Sequence, residues 1–560
     1  MMHGVDTARP ARAGATAGLL FCALAAGEHT SLAQVGGRTG AWTHLGSTSA
    51  RNALTRHPPP DLAQPAWTRA TGQAGSTLLF PWQASPAVDE HSVYVVARTT
   101  GPSRAWLLAV HRDSGGIRWQ TQLPALPAFD SQSCPVIDQE HGTVIVGVGR
   151  LLVAYRRSDG WEAWRTNLDQ FVVNASAAVT GDRGRADRAF ITDYPFDPGS
   201  EGRLYCINVD PTHPTHNPYA PGDIVWSVTL EGTSGNSPAY LPRHLGGDGR
   251  VYVANYGVYG VTPGTIRAFD PDAQQAAVPV WEAINPEPQG YFGGLTIVPR
   301  GPSGVAEIFA ASYAFFGGPS CEPGGGPESA NLLRLNARTG AIIAGSPSNR
   351  SSSMAVYSPA GRLVLAGGYH LPSVGGAVSV AMFDAALGAS SRVWDSALAG
   401  WTDANFNCLL DAGEYTLLGG YLNQPVVSHF AGRTRIIAGA MPTAALTQPG
   451  TSVSVLNALA PVWSPGFVES SGASAGSSPA VAGGSVYATG SAGVVALGLT
   501  PQSYDVDGSL RVGIDDLYEW EVGTGLLDVN GDLLADASDR AALVTLLRAT
   551  EPEELAEAAR

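Results

Sequence analysis

Residues 85–119 read SPAVDEHSVYVVARTTGPSRAWLLAVHRDSGGIRW, and the reading of this stretch decides the fold. Four short apolar runs, Pro86–Val88, Val93–Ala97, Leu107–His111 and Ile117–Trp119, are separated by Asp, Gly, Ser and Pro. Runs this short, with turn residues between them, predict a meander of four antiparallel strands. One such sheet has two faces and no second layer, so it needs a neighbour on each side.

The rest of the chain supplies those neighbours. Ala109–Trp119 (AVHRDSGGIRW) recurs at the same length as Ala154–Trp164 (AYRRSDGWEAW). A third copy, Arg334–Ala344 (RLNARTGAIIA), keeps the turn but ends on Ala where Trp is expected. Looser copies run from Cys206-Ile207-Asn208 to Trp226, Ala268-Phe269-Asp270 to Trp281, Met382-Phe383-Asp384 to Trp394, and Val455-Leu456-Asn457 to Trp463. Gly lets the chain reverse between the third and fourth strands, and the Trp is suited to cover the seam between units. The openings repeat as well: Ser85-Pro86-Ala87-Val88, Ser133-Cys134-Pro135-Val136, Ser176-Ala177-Ala178-Val179, Ser237-Pro238-Ala239 and Ser478-Pro479-Ala480-Val481. Units begin near residues 85, 133, 175, 236, 294, 353, 424 and 478, which predicts a mainly β, eight-bladed β-propeller. The last unit lacks a Trp-bearing fourth strand, and Pro65-Ala66-Trp67 is a fourth strand with no unit before it. The ring is therefore expected to close by donation of the Trp67 strand.

These repeats resemble the PQQ-like repeat family, the quinoprotein-like propellers of quinoprotein dehydrogenases and of an outer-membrane assembly lipoprotein, over roughly Trp42 to Leu499. The resemblance implies a ring with loops free to bind. It also brings a dehydrogenase into view, but the vicinal Cys-Cys pair that such enzymes place over PQQ does not occur here. PQQ is therefore not expected as a cofactor.

Composition agrees with a large β protein: 560 residues, 44% hydrophobic and 14% charged, with 68 Gly and 40 Pro for turns. All 33 cations are Arg, which reads as codon bias, and the net charge of −15 argues against a nucleic-acid partner. Residues 501–560 hold 14 acidic and 4 basic residues, so the acidity is concentrated in the tail. Arg9 and Arg12, the apolar run Ala15–Ala26 and Ser31-Leu32-Ala33 have the pattern of a secretory signal peptide over 1–33. No transmembrane segment is expected in the mature chain. Residues 34–64 read as a polar, turn-rich lead-in, 65–499 as the propeller, 501–550 as a separate module and 551–560 as an acidic tail. Cys134, Cys206, Cys321 and Cys408 form no CxxC, and their pairing is left open.

The module carries two loops with oxygen ligands at positions 1, 3, 5 and 12 of a calcium loop. The first has Asp505, Asp507, Ser509 and Asp516, with the Arg511 carbonyl at position 7. The second has Asp528, Asn530, Asp532 and Asp539, with the Leu534 carbonyl and Asp536 between. Apolar-periodic helices are expected after each loop. The tandem resembles a dockerin, an EF-hand-type calcium-stabilised module that docks exported proteins onto cohesins. Position 6, normally Gly, is Leu510 and Leu533, and the expected contact pairs are Ile514-Asp515 and Ala537-Ser538 rather than Ser-Thr. Those changes spare calcium binding more than cohesin recognition. A third loop inside the propeller, Asp403, Asn405, Asn407, Leu409, Asp411 and Glu414, has the same code.

Other motifs are poorer. His213-Pro-Thr-His216 sits in a Pro-rich insertion, the Gly-rich runs lack a strand-loop-helix context, and there is no GxSxG. With no residue to nominate as catalytic, the expectation is an exported non-catalytic binding scaffold with structural Ca²⁺ and a protein partner. The alternative is a polysaccharide-active lyase or glycosidase, for which two carboxylates must face each other across the sugar.

Overall fold

The computed structural model of the chain describes residues 41–498 apart from 56–64, 81–83, 100–103, 128–132, 182–185, 197–199, 258–261, 274–276, 314–329, 369–377, 400–403, 405–417, 431–432, 441–453, 458–466, 471–474 and 483–484, together with residues 517, 540, 541, 543 and 544. Within 41–498 the one described α-helix is Ser396–Ala399, and the rest of the regular structure is almost all strand. Among the described residues no helix is long and apolar enough to cross a membrane.

Eight sheets form eight blades, each with an inner strand that begins where the repeat places it. These inner strands are Ala87–Val88, Val136–Asp138, Ala178–Val179, Ala239–Tyr240, Thr296–Val298, Val356–Ser358, Val426–Phe430 and Ala480–Ala482. The inner strands of blades 1 to 5 touch in turn, those of blades 6 and 7 touch, the segments leading into blades 7 and 8 are joined by the Gln424 N–H to Ser478 Oγ bond, and the eighth inner strand touches the first, so the sheets stand radially in a closed ring. Closure takes the form the missing strand implied. Pro65–Arg69 pairs antiparallel with Gly493–Gly498 and becomes the outer strand of blade 8.

Strand period explains how each blade buries both faces. In Thr143–Val148 of blade 2, Val144, Val146 and Val148 pack against blade 1, whereas Ile145 packs against blade 3. In Leu151–Arg156 the same split puts Val153 and Tyr155 on one side and Leu152 and Ala154 on the other. Successive residues point to opposite faces, and both faces are interfaces, so these strands read as continuous apolar runs although they are antiparallel. The core is thus a set of layers between blades.

Where a described outer strand carries the Trp, it serves the following blade; the expected Trp463 lies outside the described residues. A one-residue bulge precedes Trp119, Trp164 and Trp226 in their ladders, and it re-aims the side chain toward the next sheet. The Trp119 indole N–H donates to the Arg157 carbonyl of blade 2 at 2.9 Å, and a Cβ on Gly160 would come within 2.6 Å of its ring. Trp67 meets Arg112 and Gly115 of blade 1 in the same way, and Trp281 meets Ala337 and Gly340 of blade 5. Blade 5 therefore keeps its turn, which receives Trp281, although its own outer strand, Ile342–Ser348, carries Ala344 rather than Trp opposite Arg334.

Candidate functional site

The lead-in does more than its composition suggests. Residues 42–55 enter the ring and meet the inner strands of blades 1 to 7 in order. Trp42, Thr43, Ser49, Ala50 and Ala53 offer carbonyls to the N–H of Val88, Ile137, Tyr240, Ile297 and Val427, at 2.8–2.9 Å. Between them, the Val179 N–H donates to His44 Nε2 and the Tyr357 N–H to Asn52 Oδ1. Leu54–Thr55 then runs parallel to the inner strand of blade 7. Trp42, Arg51 and Ala53 are fully buried. The axis is filled by the chain itself.

Arg51 is the centre of this plug. Its guanidinium donates to the carbonyls of Pro238, Leu45, Ser176 and Ala177, which tie it to blades 3 and 4. Four such bonds hold its backbone in the left-handed region at φ 59°. Burial lowers its pKa to about 9, so it is a cation at neutral pH. Burial, and next the Arg51 charge, lower His44 to about 3, in keeping with a neutral imidazole whose Nε2 accepts from Val179. Burial raises the Cys134 thiol.

A narrow axial recess lies beside the plug. It is lined by Leu45, Asn174, Ser237, Gly294, Ser352 and Gln424 among others, and no Asp or Glu is among the lining residues. Cys134 is the only cysteine in that lining. Around it, the first residue of five of the inner segments donates its N–H to the corresponding side chain of the next blade. Ser85 donates to Cys134 Sγ, Cys134 to Ser176 Oγ, Ser176 to Ser237 Oγ, Met354 to Gln424 Oε1, and Gln424 to Ser478 Oγ. The repeated Ser of the openings is this link. Cys134, rather than Ser133, occupies the place of Ser85, a one-residue correction to the alignment of the openings.

An arc of aromatic side chains curves across several blades. Phe171, Phe196, Tyr194, Phe292, Tyr313 and Tyr421 follow one another with ring centroids 5.0–6.2 Å apart, and Tyr256 stacks on Phe292 at 4.4 Å. Phe196 is 43% exposed, and Arg150 lies over Phe171 at 4.8 Å. The arc borders the recess, because Gly293 follows Phe292 and Leu422 follows Tyr421. Arg350 is buried, and its pKa is lowered by burial with Tyr313 beside it. Six rings drawn from 250 residues of sequence carry no spacing that could have announced them.

The expected calcium ligands in both tail loops and in 403–414 lie outside the described residues. Among the described residues no cluster of three His, Cys, Asp or Glu side chains is placed to hold a metal. His213 and His216 stack at 3.6 Å on an exposed hairpin, with both Nδ1 atoms near Thr215 Oγ1, which is two potential ligands without a third.

A closed ring of eight sheets, six of four strands and two of five, with interlocking Trp residues, is an eight-bladed β-propeller of quinoprotein-like fold. No family model matches the chain, and no curated protein matches it. Solved structures do. A quinohemoprotein alcohol dehydrogenase from Comamonas testosteroni aligns with TM-score 0.52 at 12% identity, over 83% of this chain and 78% of that one. The enzyme ADHIIG from Pseudomonas putida HK5 aligns with TM-score 0.51 at 13% identity, over 82% and 77%. BamB from Moraxella catarrhalis aligns with TM-score 0.47 at 17% identity, over 76% and 96%. At these identities the likeness to the two dehydrogenases is one of fold.

Proposed function

We propose that the chain is an exported, non-catalytic β-propeller that binds a partner at the aromatic arc and is docked through a calcium-dependent, dockerin-like C-terminal module. The observation that carries the reading is the arc itself, partly exposed aromatic rings on a rigid ring of blades. Aromatic side chains give large contact area at low entropic cost and are enriched in binding hot spots. Dehydrogenase chemistry gains no support from the axis, where the plug runs and a single cysteine lines the recess. Export rests on the N-terminal pattern, and docking on the tandem loops. The protein partner is cohesin-like on that reading.

The arc also suits the apolar faces of sugar rings, so a polysaccharide ligand is the second reading. Both are tested by screening the full-length protein against secreted proteins and plant and algal polysaccharides. Saturable binding should be lost in a Phe196→Ala, Tyr421→Ala double variant whose melting temperature is unchanged. Binding that survives in the double variant would remove the arc from the function, and growth of reducing or unsaturated ends from a polysaccharide would make the protein an enzyme.

A further inference from the structure

The run of N–H donors around the axis is interrupted at Gly294. At Gly294 there is no side chain to answer the N–H of Ser237, and the N–H of Gly294 meets Met354, whose thioether is a weak acceptor at best. Neither N–H has an acceptor among the described residues, and the buried hydroxyl of Ser352 has no hydrogen-bond partner. All three residues line the same recess. A buried polar group without a partner is costly, and three on residues that line one small cavity are rarely left so. The gap is enforced sterically, since a Cβ on Gly294 would come within 2.5 Å of Met354 Sδ.

Charge gives the sign of what would fill it. Arg51 packs behind the recess: its Nη1 donates to the carbonyl of Leu45, which lines the cavity, and its Cδ lies 3.4 Å from where a Gly294 Cβ would stand. Its hydrogen bonds all go to carbonyls, which are dipoles and do not neutralise it. No carboxylate among the described residues pairs with it, and none lines the cavity. We propose that the axial recess binds a small monovalent anion, a carboxylate or a halide, through the N–H groups of Ser237 and Gly294 and the hydroxyl of Ser352, in the field of Arg51. Backbone donors in a concavity beside a fixed cation are a recurrent anion site.

The test uses the full-length protein at constant ionic strength, with sodium chloride, formate or acetate replacing the sodium salt of a bulky organic anion. A saturable rise in melting temperature with a small anion, and one site per chain by titration calorimetry, is expected. Response to chloride alone would assign a halide, and response to formate and acetate a carboxylate. Ser352→Ala removes a hydroxyl that holds nothing in the protein, so its melt in the bulky-anion buffer should match or exceed that of the parent. Its affinity for the small anion should fall about ten-fold. A rise that follows ionic strength whatever the anion, or undiminished affinity in Ser352→Ala, overturns the proposal.

Discussion

Each outer-strand indole stabilises a sheet to which it does not belong, so its loss should be felt between blades. Trp119 is 6% exposed, and its N–H is committed to Arg157. Trp119→Ala should cost about 3–5 kcal/mol by denaturant titration. A second clamp is titratable. His141 of blade 2 lies between Asp138 at 2.9 Å and Asp210 of blade 3 at 2.5 Å. The hydrogen bond to Asp138 foremost, then Asp210, raises the imidazole from 6.5 to about 9 against the opposing effect of burial. A group raised in the folded state contributes fully below its unfolded pKa and ceases to contribute as pH rises through the folded one. The melting temperature of the parent should therefore exceed that of His141→Gln at about pH 6, and the gap should shrink toward about pH 10. At this scale the Trp, its turn Gly and the exception at Ala344 were legible, because they recur at fixed spacing. The His141 clamp was not, since Asp210 joins it only after two blades have packed.

Among elements, the strand Pro65–Arg69 has the largest consequence for its size. Without it, Gly493–Gly498 would expose an unpaired edge, and blade 1 would lose the indole that covers Gly115. Deleting residues through Arg69 should lower the melting temperature sharply and bring concentration-dependent aggregation, both readable by light scattering during a thermal ramp. A truncation that keeps 65–69 but removes everything before it separates closure from plugging. It should stay monomeric and still melt earlier than the parent. The closing strand was readable as an arithmetical deficit, one fourth strand too few at the end and one too many at the start. Trp42 to Thr55 was not readable as a plug, for its bonds are mostly backbone carbonyls reaching partners as far along the chain as Val427, with no period and no motif.

Over the whole molecule the plug couples blades that otherwise touch only their neighbours. In the plug-less truncation, hydrogen exchange should accelerate together at Val88, Ile137, Tyr240, Ile297 and Val427, whose amides donate to it, while amides in the middle strands stay protected. Calcium should act at the other end of the chain. Titration of the full-length protein should show weak binding, roughly 10⁻⁴ to 10⁻³ M as in extracellular modules, and Asp505→Ala with Asp528→Ala should remove the tail's share while leaving the main melt in place. Fold and closure could be read from the repeat. The recess and the arc could not, because they are assembled by the ring from residues that are ordinary in isolation. The threading also sets an order in time. Leu54–Thr55 and Pro65–Arg69 are made early, yet their partners in blade 7 and blade 8 are made last, and at about 5–20 residues per second the beginning of the chain waits on the order of tens of seconds for its binding place to exist. Through that interval two short strands lack the edges they pair with. The N-terminal segment is therefore made long before the C-terminal blades that complete its binding place.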